Sequence, residues 1–129
     1  MVGIWKPYAE IYLIVAGVLM LLTFGLPLIF APLRWARLFQ WVVPQTQELV
    51  TFLGRSLGIF ISVMGIFAFI VIQTPAAMPF YFDLILVLFG GMILLHVYGA
   101  IRKAQPITET FEILLWVLLG LVTLGFYPL

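Results

Sequence analysis

The chain has no cysteine, one histidine and few charges, which make up only 9% of its 129 residues. Without cysteine there is no disulfide, no thiol chemistry and no cysteine-ligated zinc or iron–sulfur centre. A lone histidine rules out a histidine-rich metal centre and a two-histidine haem site within one subunit, so no metal site is expected. The net charge of +1 is too small for the basic footprint of a nucleic-acid binder. GxGxxG, P-loop, HExxH and GxSxG patterns are all missing. No nucleophile lies near the histidine to make a catalytic triad. No polar run crosses the apolar stretches, so a water-filled path through one chain is not expected.

Apolar residues are what the chain has in quantity: 65% of the total, with a mean hydropathy of +1.26. A soluble domain of this size needs far more polar surface. Four apolar runs, at about 8–30, 49–72, 80–101 and 106–127, each reach the roughly 20 helical residues that span a hydrocarbon core. The expected fold is all-α: a polytopic, four-helix transmembrane bundle forming one membrane domain over 1–129. The first run exceeds the roughly 7–15 residues of a signal-peptide core and reads as a retained span. Trp5, Tyr8 and Tyr12 stand near its start, where amphipathic rings favour the interface. Pro27 should kink its last turns.

Between the first two spans, APLRWARLFQWVVPQTQE places Arg34, Arg37 and Gln40 on one side at helical spacing. Trp35, Leu38, Phe39 and Val42 fall on the other side. That pattern predicts a short interfacial helix over about 33–43, ended near Pro44. The later connections are short, so spans two and three, and three and four, should be antiparallel. Arg34 and Arg37 precede span two, and Arg102 and Lys103 follow span three. The positive-inside tendency then puts loops 31–48 and 102–108 in the cytoplasm and both termini outside.

The stretch TFLGRSLGIF sets Arg55 between Gly54 and Gly58 in otherwise apolar sequence. A charge at membrane depth costs about 2.5–3.5 kcal/mol on insertion scales, so such a group turns inward and pairs. Arg55, His96 and Glu112 come from three different spans and should lie at similar depth near the basic loops. Glu109 and Glu112 share a helix face at i, i+3. Glu112 is the expected partner of Arg55, as a structural clamp or as part of a ligand site, with Glu109 nearer the surface. His96 would bond to the carboxylate or to a ligand; axial ligation of haem or a pigment is a subordinate use. Gly54, Gly58, Ser62 and Gly65 form a small-residue stripe suited to close helix packing. Lys6 and Glu10 stand at i, i+4 as an interfacial ion pair. Asp83 and His96 point to roughly opposite faces of span three, which favours an oligomer or a larger complex.

Four spans, the overall size and the run R-S-L-G from Arg55 to Gly58 resemble the small four-helix membrane proteins grouped as DoxX-like. The resemblance implies, as for some members of that group, a membrane subunit that works with quinone-linked redox partners, while other members have no assigned role, and it carries over no catalytic residues. The leading functional expectation is a non-catalytic accessory or scaffold subunit of a larger bioenergetic or transport complex. Its partners would be the lipid bilayer and other membrane subunits or further copies of the chain. One alternative is a subunit that binds a quinone or a lipid headgroup through Arg55, His96 and Glu112. The other is a small oligomeric transporter or channel.

Overall fold

The computed structural model describes residues 1–129, and all of its regular elements are helical. In chain order they are α1 (Ala9–Met20), a π-helical segment (Leu21–Gly25), α2 (Leu26–Phe30), α3 (Pro32–Leu38), α4 (Glu48–Ile72), α5 (Met78–Ile101) and α6 (Ile107–Phe126). Short 3-10 turns at Lys6–Tyr8 and Pro75–Ala77 precede α1 and α5. Four stretches, Lys6–Phe30, Glu48–Ile72, Pro75–Ile101 and Ile107–Phe126, are long and apolar enough to cross a membrane. The chain is thus an all-α protein with the make-up of a multi-pass membrane protein. Its contacts resolve into two compact units, Leu13–Gln73 and Met1–Tyr12 with Thr74–Leu129.

In the unit Leu13–Gln73, α4 lies against the first span along its small residues. A Cβ added at Gly58 would stand 2.7 Å from the Ile29 backbone nitrogen and 2.8 Å from the Gly25 carbonyl oxygen. One at Gly17 would stand 2.8 Å from the Gly65 carbonyl oxygen, and one at Gly54 2.7 Å from Pro32 Cβ. Ser62 faces Gly25 and is itself buried. Residues later in α4 therefore meet residues earlier in the first span, which is antiparallel packing with backbone close to backbone. Lipid tails give two helices no hydrophobic reason to associate, so close van der Waals approach has to supply the attraction.

Pro27 disturbs the first span, and the disturbance lies N-terminal to it. Proline has no N–H, so the Thr23 carbonyl loses its helical donor. The Trp35 indole Nε1 donates to that Thr23 oxygen at 3.0 Å. The Leu26 N–H reaches back to the Leu21 carbonyl, closing the wider π turn. The Thr23 hydroxyl donates to the Leu19 carbonyl at 2.6 Å. Trp35 also stacks on Phe39 with ring centroids 4.4 Å apart, and Phe24 lies 5.6 Å away. The short α3 is thereby tied to the π segment by one indole.

The interfacial helix is shorter than the expected 33–43. It ends at Leu38, because Gln40 takes a left-handed φ of 65°. The Trp41 N–H bonds to the Ala36 carbonyl and the Gln40 N–H to the Arg37 carbonyl, both at 3.0 Å. This pair of bonds is a Schellman motif, which satisfies the last carbonyls and stops the helix. Pro44 lies beyond the stop and does not cause it. Lys103, with φ 51°, closes α5 in the same way, its successor Ala104 bonding to Gly99.

In the unit Met1–Tyr12 with Thr74–Leu129, α5 and α6 form an antiparallel hairpin. Phe82 near the start of α5 meets Tyr127 just past α6, and Phe89 meets Trp116 nearer the turn. The N-terminal arm runs along the end of α6: the Gly3 N–H bonds to Leu124 at 2.9 Å and the Trp5 N–H to Gly125 at 2.8 Å. Tyr12 stacks on Phe126 at 4.8 Å. Thr123 spends its proton on the Leu119 carbonyl, so the Tyr12 hydroxyl donates to Thr123. Lys6 sits in a 3-10 turn with Pro7, which breaks the α-helical register to Glu10. The expected Lys6–Glu10 pair is absent, and Lys6 Nζ instead donates to the Leu129 carbonyl at 3.5 Å.

Two substitutions test this packing. Gly58→Leu forces side-chain atoms into backbone that cannot rotate away, and overpacking of this kind costs about 1–3 kcal/mol. Thermal unfolding in detergent should show the loss, while Gly90→Ala on α5, with no atom within 4 Å of the new Cβ, should leave the melting temperature level or slightly raised. Trp35→Phe keeps the ring and removes the donor to Thr23. It should cost about 1–2 kcal/mol in the same assay, and an unchanged melting temperature would show that the indole bond carries no weight.

Candidate functional site

The buried histidine and carboxylates of the α5–α6 hairpin collect at its closed end. α5 contributes His96, and the first turns of α6 contribute Glu109 and Glu112, one helical step apart. Only 3% of His96, 8% of Glu109 and 9% of Glu112 remains exposed, which in a span means little contact even with lipid. His96 Nε2 lies 3.0 Å from Glu109 Oε2 and 3.5 Å from Glu112 Oε2. A carboxylate at Glu109, in the first turn of α6, is favoured because the unbonded N–H groups of a helix N-terminus carry partial positive charge.

The imidazole is held by a second contact. His96 Nδ1 lies 2.7 Å from the Met92 carbonyl oxygen one turn earlier in α5. A carbonyl only accepts, so Nδ1 carries the proton and donates. Nε2 is then left to face the two carboxylates. Gln105, in the connection between the helices, donates its amide to the His96 carbonyl at 2.9 Å and to the Thr110 hydroxyl at 3.1 Å. Gly99 makes room for it, since a Cβ there would collide with the Gln105 amide. The Trp116 ring lies 6.1 Å from His96 and 5.6 Å from Phe89, so an aromatic layer covers the cluster on its apolar side.

The hairpin thus brings His96, Glu109 and Glu112 together. Arg55 belongs to the other unit, on an exposed position of α4, and has no ion pair or hydrogen bond within that unit. Glu112, expected opposite Arg55, is engaged by His96. The stripe Gly54, Gly58, Ser62 and Gly65 faces α2 and the earlier part of the first span and lines no cleft. Asp83 and His96, expected on opposite faces of span three, each find a partner inside the hairpin. Tyr127 lies past the end of α6, free of its helical path, and its hydroxyl donates to Asp83 Oδ1 at 2.8 Å. That bond holds the Tyr127 phenol above its usual range, because ionising it would set a second negative charge against the carboxylate. Sequence reasoning did not single out Gln105 or Trp35. A glutamine before a proline and a tryptophan on an amphipathic turn carry no local signal of the distant carbonyl each one serves.

No family model matches the chain, and no curated protein or solved structure matches it either.

The strength of the cluster as a helix-to-helix tie can be measured. Removing one partner of a buried charged contact typically costs about 3–5 kcal/mol, whereas replacing the whole set by apolar groups is often neutral. His96→Leu should therefore lower the melting temperature clearly, and adding Glu109→Leu and Glu112→Leu should recover most of the loss. Equal and additive losses in all three would mean that the side chains do not act together.

Proposed function

We propose that the protein is a non-catalytic integral membrane subunit that works by packing against other membrane helices, of partner proteins or of further copies of itself. One observation carries this reading: the histidine and carboxylates of the α5–α6 hairpin that lie within its spans are engaged by contacts inside the hairpin. His96 is held by Met92, Glu109 and Glu112, and Asp83 by Tyr127. None is left extended toward a reacting group. Nearly all the remaining surface of the long helices is apolar and suited to lipid or to another helix. We place the basic loops with Arg34, Arg37, Arg102 and Lys103 in the cytoplasm and both termini outside, by the positive-inside tendency. A quinone carbonyl would need a free donor, and both His96 ring nitrogens are engaged, so the geometry within the hairpin does not favour that use at His96.

Membranes holding the native protein, solubilised gently and run on a non-denaturing gel, test the proposal. The chain should migrate with other polypeptides or as a multimer. Migration only as a lone monomer would overturn it.

A further inference from the structure

We propose that His96, Glu109 and Glu112 form a binding site for one divalent first-row transition-metal ion, of the zinc class, inside the α5–α6 hairpin. The candidate ligand atoms, the imidazole nitrogen and one oxygen of each carboxylate, all lie within 4.8 Å of one another. Metal bonds of about 2.0–2.2 Å to nitrogen and oxygen place neighbouring ligand atoms about 3–4 Å apart. The separations of 3.0 and 3.5 Å from Nε2 to the two carboxylate oxygens fall in that range. All three residues are buried, so little rearrangement of exposed side chains has to precede binding.

The tautomer of His96 is the second argument. Metal-bound histidine commonly donates its other ring N–H to a backbone carbonyl, which fixes the ring and frees the opposite nitrogen lone pair. The Nδ1 contact to the Met92 carbonyl is that arrangement, and it aims Nε2 between Glu109 and Glu112. The Gln105 amide steadies the same turn of α5 from the connection side.

Charge is the third argument: a divalent ion held by one neutral imidazole and two carboxylates makes a site with no net charge, which suits a buried place among apolar helices. Any proton the ion displaces leaves to solvent, and no redox step is involved. An imidazole with two carboxylates selects zinc, cobalt, iron(II) or manganese over magnesium and calcium, which prefer all-oxygen sites. Three protein ligands leave a coordination position for water or for a group on a partner.

The test uses the full chain, purified in detergent, stripped with chelator and titrated with Co2+ as the only added metal. The site predicts one Co2+ per chain by elemental analysis, with visible absorption bands that Zn2+ abolishes by displacement. Glu112→Gln and His96→Gln, checked as folded by gel filtration, should weaken binding by more than the about 10–100-fold that second-sphere changes cost. In parallel, the 15N resonance of His96 Nε2 in the unaltered protein should shift on adding Zn2+, a measurement that needs no variant. No Co2+ retained above a buffer blank, binding unchanged in the variants, or an unmoved Nε2 resonance would each overturn the proposal. Failure here would leave the packing role untouched, since the native-gel result does not depend on metal.

Discussion

Hydrocarbon cannot hydrogen-bond, so a polar group carried into the bilayer gains from a partner within the protein, and most find one; the buried Ser62 hydroxyl does not. The helices answer this for most of the backbone, and the side-chain contacts appear where the helical pattern breaks or an ionisable group enters. Thr23 and Thr123 return their hydroxyl protons to carbonyls one turn back, at Leu19 and Leu119. The carbonyl exposed by Pro27 receives the Trp35 indole. His96 has a carbonyl on one nitrogen and carboxylates on the other. The Trp35 and His96 contacts also give long-range order, because the first relieves a defect in its span and the second joins two helices.

The two units hold their helices together by different means. In Leu13–Gln73 the attraction comes from backbone contact at Gly17, Gly25, Gly58 and Gly65, where the absent side chains let the helices approach closely. In the other unit α5 is apolar around its whole circumference, so hydrophobicity does not select which face meets α6. Polar contacts make that choice. His96 with Glu109 and Glu112 fixes the end beside the turn, and Asp83 with Tyr127 fixes the far end. Between these ends Phe89 and Trp116 fill the space with rings.

Much of this fold was legible in the sequence, for physical reasons that differ by element. The four long helices follow from run length and hydropathy, which lipid reads directly. The approximate place of the break in the first span follows from Pro27, because a missing N–H acts locally. The stop of α3 at Gln40 did not follow, since a left-handed glutamine is set by the Schellman bonds and not by residue preference. The site was legible in part. His96, Glu109 and Glu112 were recognisable as costly groups that must be paired, and their short separation across one turn makes a hairpin contact the cheapest solution. Which of several charges pair was not legible, because depth along a span says nothing about the direction in which a side chain points. Arg55 and Glu112 illustrate this: a similar expected depth is compatible with any rotation of either helix.

The closed end of the hairpin concentrates three effects that reinforce one another. The short connection places the end of α5 beside the start of α6, so the histidine near one helix end meets carboxylates near the other. The partial positive charge of the α6 N-terminus favours one of them, Glu109 in the first turn. The Met92 carbonyl orients the imidazole toward them before any ligand arrives. A ring with free rotation would lose entropy on pairing or on binding an ion, and this ring has already lost it. Preorganisation of this kind serves a structural tie and a metal ligand equally well. The difference between the two is one of charge: a divalent ion beside one neutral imidazole and two carboxylates gives the same geometry no net charge.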